Sequence, residues 1–413
     1  MKTTGPPLLL LLLAVAGLSR AQSKKTSLLD LTNSVGSILP SLSRPANHSR
    51  IFYAVMFDAG STGTRIHVYT FIQKELPVLD NEMFHSTKPG LSAYADSPEM
   101  AGHTVRMLLK VAKKTVPRLE WKRTPLVLRA TAGLRLLATE KAQLLLEQVQ
   151  LVFDQSPFLV PDDSVSIMNG TNEGILAWIS VNYLTGHLNA QSKETVGILD
   201  LGGGSTQITF LPKPWKSIES VPVADYVARY DFSNSTFELY TYSYLGNGLM
   251  AARLATLGAL GAEGTHSIHN LHRCLSVSSP GYAGYKLCYQ EVLKVVKGII
   301  HQPYELQDSN VFYAFSYYFD RAVDAGLIDG VHGGTLEVRD FKKRAKEVCN
   351  KMTKYPPISA FLCMDMTYIT CLLKNGFGFK ERTVLQLTKK VNNVEASWAL
   401  GATLDHFHNL KIH

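Results

Sequence analysis

Two aspartates, Asp58 and Asp200, each end an apolar run and each stand just before a turn of small residues. The first reads Gly60-Ser61-Thr62-Gly63-Thr64-Arg65. The second reads Gly202-Gly203-Gly204-Ser205-Thr206-Gln207. Glycines let a backbone come close to a ligand, successive N–H groups in such a turn make a concavity that favours anions, and Ser and Thr hydroxyls add donors that rotate to suit. A phosphate fits that description. A bare carboxylate beside a phosphate repels it, so Asp58 and Asp200 make sense with a divalent cation between them and the phosphate. A third acid, Glu173, stands between Asn172 and Gly174 ahead of the apolar segment 175–184. Such a residue is either favoured there by the helix dipole or presented at the edge of a cleft as a general base. His266, His269 and His272 lie in Ser- and Gly-containing sequence and lack the ligand set of a zinc site.

The elements that must position these groups are legible as patterns. The apolar run 51–56, the turn and a second β-rich run at 66–71 read as a β-hairpin. The same unit recurs in "VGILDLGGGSTQITFLP" at 196–212. Repetition of one supersecondary unit predicts two similar lobes, each offering a phosphate-gripping hairpin to a shared cleft. Between them, 124–130 reads as a buried strand running into "TAGLR" (131–135), and a helical period follows from Ala142 to Phe153. The aromatic-rich stretch 311–322, "VFYAFSYYFDRA", has the spacing of a core helix, though some of its rings (Phe315 and Tyr317 are the candidates) could stack on a nucleobase. The segment 393–410 predicts an amphipathic helix lying back against the N-terminal lobe.

With 413 residues, 46% apolar and 18% charged, the chain has room for two domains with substantial cores. Residues 1–21 carry Lys2, an apolar stretch from Leu8 to Leu18 and the small residues after it, the pattern of a secretory signal peptide cut near Ala21. No later stretch is long and apolar enough to span a membrane, so a mature chain soluble in the secretory pathway is expected. Its basic residues are dispersed and lack interleaved aromatics, which excludes nucleic-acid binding. Five cysteines in an oxidising compartment invite pairing. Cys274 with Cys288 and Cys349 with Cys363 are the short-loop pairings, leaving Cys371, and spacing alone does not fix the connectivity. Asn47, Asn169 and Asn234 open glycosylation sequons; Asn169 lies too near Glu173 to be expected to carry a glycan.

"DAGSTGTR", "TAGLR", "NEGILAW", "DLGGGSTQ" and "SWALGA" occur in that order. Together they resemble the five conserved regions of the ectonucleoside triphosphate diphosphohydrolases, the apyrase family, over about residues 53–404. Without membrane spans and with few cysteines, the chain is similar to the soluble endomembrane branch, types five and six. The resemblance implies an α/β fold of two ribonuclease-H-like, actin-like lobes with the active site between them. It implies dependence on Mg2+ or Ca2+ and hydrolysis of UDP, GDP and related nucleotides to monophosphates. Carried over, Ser61, Thr62, Gly63, Thr64, Arg65, Gly203 and Gly204 hold phosphate, with Thr131 lining the site. Asp58 and Asp200 bind the metal, mostly through water. Glu173 is the general base, and Ser205 and Gln207 position the attacking water. The stretch between Cys274 and Cys288 is shorter than the branch usually has, and Cys371 is an extra thiol.

The expected organisation is a signal peptide at 1–21, a leader at 22–50, lobe I at 51–170 plus 397–413, and lobe II at 171–396. The expected setting is the lumen of the endoplasmic reticulum or Golgi, with secretion as the alternative. The expected partner is a nucleotide, with Asn47 and Asn234 glycosylated and a monomer favoured. Two other readings of the same architecture are a phosphotransferase such as a sugar kinase and a nucleotide-gated binding or chaperone module.

Overall fold

From Phe52 to Ala59, apolar residues of Ile51–Ala59 (β1) alternate between two apolar clusters, as the two-residue period of a strand requires. Val55, Phe57 and Ala59 enter one cluster, and Ala54 and Met56 enter another on the opposite face. Thr64–Ile72 (β2) does the same, with Ile66 and Val68 on one side and Tyr69 and Phe71 on the other. The centre of the first sheet is therefore buried on both faces, which is why β1 reads as an apolar run. These features come from a computed structural model, which describes residues 50–74, 76–188, 194–212, 226–232, 235–258, 283–301, 306, 311–351 and 360–409. The expected signal and leader segments, Asn47, Asn234 and Cys274 lie outside the described residues.

Val78–Thr87 (β3), Leu126–Ala130 (β4) and Val165–Ile167 (β5) complete this sheet in the order β3-β2-β1-β4-β5. The second sheet contains Gly197–Leu201 (β6), Ser205–Phe210 (β7), Val227–Phe232 (β8), Ser235–Leu245 (β9), Phe312–Ser316 (β10), Gly334–Glu337 (β11) and Val384–Leu387 (β12). Its order is β11-β12-β10-β6-β7-β9-β8. The stretch β9-β7-β6-β10-β12 repeats the first sheet strand for strand. In both, an antiparallel hairpin (β1–β2, β6–β7) carries a third antiparallel strand on one side and two parallel strands on the other. The duplication expected from the two small-residue turns thus extends over the whole central sheet.

Helices Pro98–Thr115 (α1) and Thr139–Asp154 (α3), with the short Ala132–Arg135 (α2) between them in sequence, cover the outer face of the first sheet. On the far side of the second sheet lie Leu249–Thr256 (α5), Ala283–Val296 (α6), Tyr317–Asp324 (α7), Val338–Lys351 (α8) and Leu362–Cys371 (α9). Gly170–Leu184 (α4) and Ala399–Asn409 (α10) fill the layer between the sheets. A helix apolar all round belongs in such a place, and Ile175, Ala177, Trp178, Ile179 and Val181 are all buried there. The two central helices cross closely. A Cβ on Gly401 would lie 2.0 Å from the Leu176 carbonyl oxygen, and the Gly401 N–H donates to Ser180 Oγ at 2.7 Å. Residues from both expected lobes share this middle core, and both sheets belong to one compact unit beginning at Ile51.

Cys349 is bonded to Cys363, Cys288 is disulfide-bonded, and Cys371 is free and buried. Among the described residues no helix is long and apolar enough to cross a membrane.

Candidate active site

The duplicated hairpins bring their turns face to face. In the first, Asp58 pairs across the strands with Arg65; in the second, Asp200 pairs with Gln207. A Cβ on Gly203 would stand 2.5 Å from Thr62 Cγ2 and 2.6 Å from Ser61 Oγ, so only glycine lets the turns approach this closely. Behind them, Gly90 and Gly248 pack against the turn backbones, where a Cβ would fall 2.3 Å from the Gly60 oxygen and 2.4 Å from the Ser205 nitrogen. Between the turns and the elements flanking them lies a cavity of about 460 Å3, the size range of small-molecule sites.

Asp58, Ser61, Thr62, Arg65, Thr131, Glu173, Asp200, Gly203, Gly204 and Ser205 all line it. Four expected residues are placed differently. Gly63 and Thr64 are not among the lining residues, and Thr64 is fully buried as the first residue of β2, while Gly60 does line the cavity. Gln207 is also buried and reaches the cavity only through Ser205, its Nε2 donating to Ser205 Oγ at 2.9 Å and to Ser243 Oγ at 2.8 Å. Phe315 does not stack on a ligand. It lies on β10, fully buried in the core between the sheets, because residues 312–316 are strand and alternate faces rather than continuing a helix. Tyr317, the other aromatic candidate, does line the cavity.

The electrostatics centre on three buried acids. Glu173 sits in the first turn of α4, behind the N-cap Asn169, whose side chain accepts from the Asn172 N–H at 2.7 Å. Burial raises its pKa to about 7, with help from Asp200 and Asp58 and against the pull of Arg135. That opposition is real, for Arg135 Nη2 lies 2.6 Å from Glu173 Oε2, and burial outweighs it. Arg135 also donates to the Met168 carbonyl at 2.7 Å and to Ser205 Oγ at 3.3 Å. Burial likewise pushes Asp200 up to about 6, with Ser316 and Arg65 nearby opposing it and Asp58 adding to it. Asp58 is held by Arg65 at 2.7 Å.

Oδ1 of Asp58 and Oδ1 of Asp200 are both buried without a hydrogen-bond partner. Such acceptors are costly unless something compensates them, and two carboxylate oxygens from facing turns suit a hard divalent cation. No group of three or more His, Cys, Asp or Glu side chains forms a complete metal cage among the described residues. Any such ion would take its remaining ligands from outside those four residue types, water and phosphate oxygens among them.

Several further residues fall outside the sequence-derived set. Arg135, which does not line the cavity but bonds Glu173 and Ser205, carries a signal in hindsight, being the last residue of "TAGLR". Arg253 and Arg321 line the side formed by the second sheet's helices, beside the expected Tyr317, with Arg253 Nε bound to the buried Asp365 at 2.7 Å and its guanidinium 4.5 Å over the Phe361 ring. Lys88, Lys389, Ser316 and Trp398 come from segments that only the fold brings together.

Two matched lobes with facing small-residue turns and carboxylates around one cavity define the actin-like nucleotide-hydrolase architecture. The chain belongs to the GDA1/CD39 (nucleoside phosphatase) family, whose model matches residues 44–413. It is 56% identical over 380 residues to the Homo sapiens nucleoside diphosphate phosphatase ENTPD5, covering 87% of this chain and 88% of that one. It is 50% identical over 380 residues to the Rattus norvegicus ectonucleoside triphosphate diphosphohydrolase 6, covering 87% and 83% respectively. Among solved structures, the nucleoside triphosphate hydrolases from Neospora caninum share the fold with a TM-score of 0.63 at 12% identity, over 93% of this chain and 96% of that one.

Proposed function

We propose that the protein removes the terminal phosphate of nucleoside diphosphates, UDP and GDP among them, by in-line attack of water with Glu173 as general base. The chain is a hydrolase of phosphoric anhydrides, as its family and its nucleoside diphosphate phosphatase relative indicate. The observation that carries the mechanism is the meeting of Glu173, Ser205 and both small-residue turns in one cavity.

Phosphoryl transfer asks for positioning and charge stabilisation more than for covalent chemistry. The N–H groups of the two turns and the hydroxyls of Ser61, Thr62 and Ser205 address the phosphate oxygens. Ser205 Oγ accepts from both Gln207 and Arg135, which leaves its own proton to donate to an acceptor in the cavity. Glu173, fixed by Arg135, takes the proton of the water. A pKa near 7 lets a carboxylate do so without being too weak a base. Asp58 and Asp200 would hold Mg2+ or Ca2+, mostly through water, and the ion would neutralise charge developing on the phosphates. Tyr317, Arg253 and Arg321 form the side suited to the nucleoside.

Phosphate release from UDP, GDP, ADP and ATP, each with Mg2+ or Ca2+ and with EDTA, tests the reading. The diphosphates should outpace the triphosphate, and EDTA should stop the reaction. Phosphate release undiminished in EDTA would refute it, as would the terminal phosphate appearing only on an added hydroxyl acceptor and never as free phosphate, a result pointing to a phosphotransferase. The pattern of residues 1–21 supports action in the secretory-pathway lumen. There, removal of the nucleoside diphosphates left by glycosyl transfer would sustain glycoprotein maturation.

A further inference from the structure

Gln207 of β7 and Ser243 of β9 stand directly opposite each other across the sheet, so their side chains share a face. Gln207 Nε2 donates to Ser243 Oγ at 2.8 Å and to Ser205 Oγ at 2.9 Å. Both amide protons are thereby used, and only Oε1 is left buried without a partner. Turned over, the amide would set one oxygen between two hydroxyls and leave both its N–H groups unpaired, a costlier arrangement in a buried place. The nitrogen therefore faces the serines.

The next pair facing the same way on these strands is Thr209 and Thr241, closed by a bond of 2.8 Å between their own hydroxyls. The start of α4 lies on this polar ladder at two glycines about one turn apart. A Cβ on Gly170 would fall 2.4 Å from both Cβ and Oγ of Ser243, and one on Gly174 would fall 2.6 Å from Thr209 Oγ1. Ser243 thus touches the first turn of the helix that carries Glu173 and the amide that stands behind Ser205. It does not itself line the cavity, and it belongs to none of the five motifs.

We propose that Ser243 is a positioning residue for Ser205: by taking one of the two N–H bonds of Gln207 it fixes the amide nitrogen forward, so that Ser205 Oγ accepts there and keeps its proton for a phosphate oxygen. Without the Ser243 hydroxyl the amide has one bond to make in either orientation. It can then turn its oxygen to Ser205 and draw that proton out of the cavity. This role rests on the part given to Ser205 in the proposed function and names what enforces it.

The test is a double-mutant cycle of Ser243→Ala with Gln207→Met, which keeps the side-chain length but has no amide. It is read by kcat/KM for UDP with Mg2+ and by calorimetric affinity for a methylene-bridged UDP analogue that cannot be hydrolysed. Ser243→Ala alone should lower kcat/KM about tenfold, less than the roughly 10²–10³-fold cost of deleting a donor to the transition state outright. It should weaken analogue binding about fivefold. In the Gln207→Met background the same substitution should change either quantity by no more than about twofold, because the amide it controls is gone. A Ser205→Ala background should silence it in the same way. A general loosening of β9 or α4 would cost the same in every background. Equal losses across the backgrounds, or Ser243→Ala indistinguishable from wild type, would overturn the proposal. If analogue binding follows the expected pattern while the wild-type protein releases no phosphate from UDP, the hydrolytic mechanism falls and the Ser243 assignment stands.

Discussion

Glu173 owes its reactivity to its neighbours: one guanidinium 2.6 Å away, two carboxylates close enough to be felt, and almost no solvent. Because burial holds its pKa near 7, the free enzyme carries a protonated, inactive Glu173 at low pH and gains the base form as pH rises. The acidic limb of kcat/KM should therefore turn near pH 7, far above an ordinary glutamate. In the cation-loaded complex the limb of kcat should turn lower, since added positive charge favours the carboxylate. A limb near 4.5 in the free enzyme would contradict the burial argument. Glu173→Gln should cut kcat about 10²–10⁴-fold while a non-hydrolysable nucleotide still binds; near-normal turnover would remove Glu173 from the mechanism. The three acids were legible in the sequence because each follows or precedes an apolar run at a turn. Their cationic partners differ. Arg65 sits within the same motif as Asp58, but the bond from Arg135 to Glu173 joins residues that only the tertiary fold brings together.

At the scale of elements, the hairpin-and-turn unit read in the sequence is the unit observed, and its second copy predicted the second sheet's centre. The reading failed where two periods meet. Residues 311–322 look helical throughout, yet 312–316 form β10 and only 317–324 form α7. Phe315 thereby turns into the core and Tyr317 into the cavity. Hydrophobic content alone cannot separate a short buried strand from a helix segment. Nor could spacing show that Gln207 stands one layer behind Ser205, since that depends on Ser243 of β9. Glycines at close approaches supply direct tests. Gly203→Ala would drive a methyl group into Thr62 and Ser61; activity should fall at least tenfold while the melting temperature moves little, as the clash lies at the cavity surface. Gly401→Ala would press on the Leu176 carbonyl in the core. Overpacking of this kind costs about 1–3 kcal/mol, so chemical denaturation should show lower stability. Wild-type stability would mean the central helices can separate at no cost.

For the whole molecule, the striped burial of the chain makes sense as layers. Two sheets, their central strands buried on both faces, enclose a middle layer of α4 and α10, and the cavity opens where the two hairpins meet. Ser397 and Trp398, just ahead of α10, reach that cavity from the end of the chain, while Asp58 reaches it from near the start. Sequence repetition revealed the two halves but not their shared core, because the contacts of Trp178, Ala399 and Leu400 join segments more than two hundred residues apart. The central claim is that this arrangement aims water at the terminal phosphorus. Hydrolysis of UDP in 18O-labelled water, with mass analysis of both products, tests it most directly. One labelled oxygen should appear in inorganic phosphate and none in UMP; label in UMP would place the attack on the other phosphorus and contradict the account.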